Sequence, residues 1–191
     1  PHIVRFFDFS LTDRWDEAYS FGWDLLIRME LLESLRELLQ QTSYTVTEQE
    51  IIKIGKDICH ALIACHRENI IHRDIKPENI FRNQQGMYKL GDFGISKIVE
   101  KGDIASTSAG TNAFCAPEQF YGKPYNKLVD IYSLGLTLYT LSNHNFLPFT
   151  TSNYVSAAEI QKRLNSPILP KPAFASNDLS EIIMKACSHE P

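Results

Sequence analysis

The chain has 191 residues, 43% of them hydrophobic and 22% charged, with a formal net charge of −4. That supplies apolar material for one large domain or two small lobes, and the acidic balance argues against nucleic acid as the main partner. No apolar run approaches the ~20 residues that span a bilayer, and no basic-then-apolar signal is seen at the start. The four cysteines, Cys59, Cys65, Cys115 and Cys187, include no CxxC pair. Free thiols in a reducing, cytoplasmic compartment are therefore expected, not a disulfide framework or a metal site.

Residues 3–9 and 24–29 are rich in Ile, Val, Phe and Leu and read as two strands. The polar stretch "SLTDRWDEAYSFG" between them makes a long hairpin connection. Residues 33–40, "ESLRELLQ", read as a short helix. The best helix begins near "TVTEQE", where Thr47 and Glu50 have capping-box spacing. Ile51, Ile54, Ile58, Leu62 and Cys65 then fall on one face. "YKLGDFG" is a short strand ending at glycine, and residues 95–121 read as a long loop rich in Ser, Thr and Gly. "NKLVDIYSLGLTLYTLSN" is apolar on nearly all faces, the mark of a buried helix. A surface helix over 156–165, a proline-rich connection and a last helix over 177–188 complete the order. The first residues are already strand-like and the last lie inside an apolar-periodic segment, so a piece of a larger domain is expected.

"IIHRDIKPENIF", from Ile70 to Phe81, crowds His72, Arg73, Asp74, Lys76, Glu78 and Asn79 between two apolar flanks. Asp74 and Asn79 lie in a loop, and Asp92 follows at the end of the next strand. Two carboxylates and an amide oxygen are hard ligands that suit Mg²⁺ shared with substrate phosphates. In an extended loop Lys76 points the same way as Asp74. A carboxylate that orients a hydroxyl, beside an ammonium that neutralises a transferring phosphoryl group, fits phosphoryl transfer.

"HRDIKPEN", "DFG", "APE" and "DIYSLG" occur here in the order and spacing of the eukaryotic-type serine/threonine protein kinase catalytic domain, which the chain resembles over nearly its whole length. The resemblance implies an α+β, protein-kinase-like fold. Residues 1–29 would be strands of the small lobe, 30–32 the hinge, 33–191 a mainly helical large lobe, and 92–118 the activation segment. It implies ATP and Mg²⁺ as cofactors and a protein substrate with a Ser or Thr acceptor.

By the same resemblance Asp74 is the catalytic base, Lys76 contacts the γ-phosphate, and Asn79 and Asp92 hold Mg²⁺. Thr111 bridges the catalytic Asp and Lys. Met29 is the gatekeeper, Glu30 and Leu32 offer backbone groups to adenine, and Phe81 packs under the base. Phe6, His72 and Phe93 match a stacked spine that Asp130 anchors, with backbone amides of the His72–Arg73 turn as its partners. Ser106, Thr107 and Ser108 are candidate phosphosites, with Arg73 and Lys97 as phosphate partners.

Within these 191 residues there is no "GxGxxG" and no lysine in the family's position for gripping the α- and β-phosphates. The arginine that usually pairs with Glu118 of "APE" is not seen either. Every internal motif is intact, which fits truncation at both ends better than a decayed enzyme, and no activity is expected of these residues alone. A non-catalytic kinase-like scaffold is the alternative. A small-molecule kinase is disfavoured by the "APE" segment and Lys76.

Overall fold

A computed structural model describes residues 1–14, 22–41, 44–93, 111–152 and 155–188. An antiparallel ribbon comes first. Strands β1 (Phe6–Arg14) and β2 (Gly22–Met29) pair from Phe6↔Met29 to Arg14↔Gly22, with an irregularity between Phe6 and Asp8. Both run further into the polar connection than the apolar pattern indicates. Once a register is set, each added pair satisfies backbone groups whatever the side chains are. Ile3, expected to open the first strand, instead forms a separate parallel bridge to Leu90.

A second, three-stranded sheet has the order β3 (Glu33–Ser34), β4 (Ile80–Arg82), β5 (Tyr88–Leu90), all antiparallel. Helix α1 (Leu35–Gln40) starts two residues later than its sequence pattern, because Glu33 and Ser34 pair with β4. Ser34 caps it: the Ser34 hydroxyl accepts from the Glu37 amide at 3.2 Å, and the Glu37 carboxylate accepts from the Ser34 amide at 2.8 Å. Helix α2 (Glu48–Arg67) is capped by Thr47, which accepts from the Glu50 amide at 3.3 Å. The return half of the expected capping box is not made. The Glu50 carboxylate turns instead to the hydroxyls of Tyr44, at 2.9 Å, and Tyr88, at 2.5 Å.

Among the described residues four further helices follow: α3 (Pro117–Phe120), α4 (Leu128–Leu141), α5 (Ala157–Asn165) and α6 (Asn177–Ala186). The expected long loop thus ends in ordered structure, a 3₁₀ turn at Thr111–Phe114 and then α3. Pro117 opens α3, where its missing N–H costs nothing.

The core forms around α4, of which every residue but Leu128 and Ile131 is buried. The expected stripe of α2 is buried in full, with Asp57 and Ala61 added to it. Gly135 lets α6 approach: a Cβ there would lie 2.8 Å from both the Ala186 Cβ and the Cys187 Sγ. Arg163 of α5 is only 1% exposed, and its Nη1 donates to the Tyr132 hydroxyl at 2.8 Å. All four cysteines are free thiols, and burial pushes the Cys187 thiol up to about 12. The architecture is α+β, a mainly helical body with small antiparallel sheets, and no helix among the described residues is long and apolar enough to cross a membrane.

Candidate active site

Helix α2 ends where Asn69 adopts the left-handed conformation (φ 58°), which asparagine tolerates better than most residues. The loop that follows is held from below by α4. Asp130, fully buried, accepts three hydrogen bonds on one carboxylate. The His72 amide, at 3.0 Å, and His66 Nε2, at 2.8 Å, meet Oδ2, and the Arg73 amide meets Oδ1 at 2.8 Å. Arg73 is left-handed as well (φ 72°), at a cost of about 1–2 kcal/mol for a residue with a Cβ. Hydrogen bonds to a charged group, worth about 1.5–3 kcal/mol each, offset that strain.

His72 carries the order upward. Its Nδ1 accepts from the Asp74 amide at 3.3 Å, so Nε2 bears the proton and donates to the Gly91 carbonyl at 2.9 Å. Burial pushes its pKa below the ordinary imidazole value; the Gly91 carbonyl and the charges of Asp130, Asp74 and Asp92 oppose that shift without reversing it.

The Asp74 carboxylate meets Lys76 Nζ at 2.9 Å and Asn79 Nδ2 at 3.1 Å, and the same amide nitrogen donates to the Asp74 carbonyl at 2.7 Å. Asn79 is buried at the end of a 3₁₀ turn, and its carbonyl accepts from the Gly91 amide at 3.0 Å. Gly91 therefore ties β5 to the loop at both its amide and its carbonyl. It has to be glycine, since a Cβ would sit 2.7 Å from Val4 Cγ2 and 2.9 Å from the Phe81 ring. Asp92 follows directly, left-handed (φ 54°) and exposed, and the Phe93 ring meets His72 edge-on with centroids 4.9 Å apart.

Met29 ends β2, and Glu30 fastens the ribbon to the sheet. Its amide donates to the Arg5 carbonyl at 2.9 Å, and its carboxylate accepts from Lys89 Nζ and the Arg5 amide, each at 2.6 Å. Burial pushes the Glu30 carboxyl up, but Lys89 and Arg5 together hold it below the usual carboxylate range. Among the described residues, no hydrogen bond engages the Glu30 carbonyl or the Leu32 amide.

The structure thus gathers Asp74, Lys76, Asn79 and, through Gly91, Asp92. It also pairs His72 with Phe93 and gives Asp130 the expected backbone partners. Phe6, matched to the same spine, is half exposed on β1 and its ring neighbours Phe9. Thr111 opens a 3₁₀ turn, and the placement of its side chain lies outside the described residues, as do Lys97, Ser106, Thr107 and Ser108. Arg73 Nε is buried without a hydrogen-bond partner among the described residues, and its guanidinium lies 5.7 Å from the Tyr125 ring. His66 and the Glu30–Lys89 pair have no counterpart in the sequence reading.

The protein kinase domain family matches residues 1–191, and the chain belongs to that family. It is 31% identical over 194 residues to serine/threonine-protein kinase Nek4 of Mus musculus, covering 100% of this chain and 23% of that protein. It is 34% identical over 165 residues to the SNF1-related protein kinase catalytic subunit alpha KIN12 of Arabidopsis thaliana, covering 85% and 31%. A probable serine/threonine-protein kinase of Clostridium perfringens, CPE1738, is 32% identical over 198 residues, covering 100% and 27%. The chain spans less than a third of the length of each of these relatives.

Proposed function

We propose that the protein transfers the γ-phosphoryl group of ATP to Ser or Thr hydroxyls of protein substrates, with Asp74 as the catalytic base. The observation that carries this reading is the joint hold on Asp74. Lys76 and Asn79 both bind its carboxylate, while the loop beneath is fixed through His72 and Asp130. Phosphoryl transfer depends almost wholly on such positioning and on charge neutralisation.

The donor set fits Mg·ATP. The Asn79 amide nitrogen is committed to Asp74, which turns its oxygen into the group available to a hard cation, and Asp92 presents an exposed carboxylate. The unengaged Glu30 carbonyl and Leu32 amide are an acceptor and a donor for an adenine edge. Phe81 would pack under the base, and Met29, at the end of β2, would be the gatekeeper. When bound, Mg·ATP supplies the electrophilic phosphoryl group.

The chain's own residues do the rest. The Asp74 carboxylate takes the proton of the acceptor hydroxyl as its oxygen bonds to the γ-phosphorus and the bond to the bridging oxygen of ADP breaks. Lys76 balances the charge on Asp74 and on the transferred group, and Thr111 would complete this pair from the activation segment. We assign residues 1–29 to the small lobe, 30–32 to the hinge, 33–191 to the large lobe and 92–118 to the activation segment. Arg73, whose Nε has no hydrogen-bond partner among the described residues, and Lys97 would be the partners of a phosphate added to that segment. Free thiols and ATP use fit an intracellular protein. The activity belongs to the protein that carries these residues. We do not assign it to the 191 residues alone, which include no glycine-rich phosphate loop.

The test is to incubate the full-length protein with γ-labelled ATP, Mg²⁺ and a generic Ser/Thr peptide, and to identify the labelled amino acid. Phosphoserine or phosphothreonine is expected. ATP binding with no transfer to protein would make the domain a scaffold instead.

A further inference from the structure

Away from the cleft, three side chains that can ligate metals converge at a place phosphoryl transfer does not use. Asp57 and His60 are three residues apart on α2 and share a face. His2 comes from the segment beside β5, where its carbonyl accepts from the Leu90 amide at 2.8 Å. Each of the three can present one ligand atom, and these atoms all lie within 4.8 Å of one another. The two imidazoles stack with centroids 5.1 Å apart, and His2 Nδ1 is 3.7 Å from Asp57 Oδ1.

One residue of β5 arranges two of them. The Tyr88 amide donates to Asp57 Oδ2 at 2.9 Å, and the Tyr88 carbonyl lies 3.3 Å from His2 Nδ1. The bond from the Tyr88 amide is an outer hydrogen bond of the kind that orients a metal-binding carboxylate, while His2 Nδ1, on binding an ion, gives up the Tyr88 carbonyl that holds it in place. Lys53 donates to the same Oδ2 at 2.6 Å, so Oδ1 remains the oxygen turned toward His2.

We propose that His2, Asp57 and His60 form a site for a divalent transition metal of the zinc class, with water in the fourth position. Two imidazoles and one carboxylate favour zinc over magnesium or calcium, which take all-oxygen sets. A bound ion ties the segment before β1 to α2. Because the three ligands converge only in the folded chain, binding stabilises the fold by mass action.

The test uses the metal-free full-length protein carrying Asp92→Asn, which removes a metal ligand from the cleft. Zn²⁺ is titrated by calorimetry, Co²⁺ by its visible bands, and the Tm is read with and without Zn²⁺. One ion per chain is expected, with tetrahedral Co²⁺ bands and a higher Tm. His60→Ala changes an exposed side chain, and His2→Ala removes the ligand from the other segment. Each is expected to weaken binding by about tenfold or more and to abolish the Tm shift. No binding, or binding and a Tm shift that both substitutions leave unchanged, overturns the site and leaves a stacked histidine pair beside a salt-bridged aspartate.

Discussion

His72 is the residue on which loop and strand meet, and its protonation state is fixed by its bonds. Nδ1 must keep its lone pair for the Asp74 amide while Nε2–H serves Gly91. Burial lowers its folded pKa beneath the ordinary value of about 6.5. The unfolded chain then binds the proton more readily, so this contribution to stability is complete above about pH 6.5 and declines as pH falls toward the folded value. The lowered carboxyls of Glu30, Glu37 and Glu159 act in a separate window, below about 4.5. Urea midpoints measured from pH 8 to pH 5 should be level and then fall, and His72→Phe should flatten the fall. An equal slope in both proteins would place the titration elsewhere. Asp74, Lys76, Asn79 and Asp92 are legible in sequence because their spacing is local and ordered. His66 is not, since a histidine in the last turn of a helix already has a reason to be there in the helix dipole. Nor is the Glu30 latch, whose partner Lys89 is brought near only by the fold.

Among the elements, α4 is the one that the others cannot do without, and its packing rests on a missing side chain. At Gly135 a Cβ would press on Ala186 and Cys187 at 2.8 Å, closer than real Cβ contacts come. Gly135→Ala should lower the unfolding free energy by about 1–3 kcal/mol through overpacking, despite alanine's better helix propensity. Gly55→Ala is the comparison. Its Cβ meets only the flexible end of Leu138, at 3.2 Å, so the gain in propensity should leave it near neutral. Denaturant unfolding of both variants measures the difference, and equal stabilities would mean that α6 is free to shift. Periodicity reveals helices such as α2 and α4 because long runs average out local exceptions. It is blind to β3 and β4, which are two and three residues long and exist through pairing alone. It also misassigns Glu50, whose spacing from Thr47 is right for a box but whose carboxylate is taken by two tyrosines from other parts of the chain. The boxes at Ser34/Glu37 and Ser156/Glu159 do form, and the same spacing could have revealed them.

Taken whole, the molecule is a helical body that holds one loop still. Asp130 rises from the buried helix to the His72–Arg73 turn, His72 reaches to Gly91, and Gly91 joins Asn79 to the strand that delivers Asp92. The β1–β2 ribbon contributes little to this; Phe6, Phe9, Leu11, Trp23 and Leu26 are each more than half exposed on it. The ribbon is legible as two strands, since its Ile, Val, Phe and Leu mark strands whether or not those side chains are covered. All this order converges on one carboxylate, that of Asp74. Asp74→Asn keeps the shape of that group and removes its capacity to accept a proton. In the full-length protein, kcat for transfer to a Ser/Thr peptide is the decisive quantity, measured beside Mg·ATP affinity by calorimetry. A fall in kcat of about 10²–10⁴-fold is expected, with nucleotide affinity within a few fold of the parent. A kcat that stays within a few fold of the parent would contradict it and remove Asp74 from the chemistry.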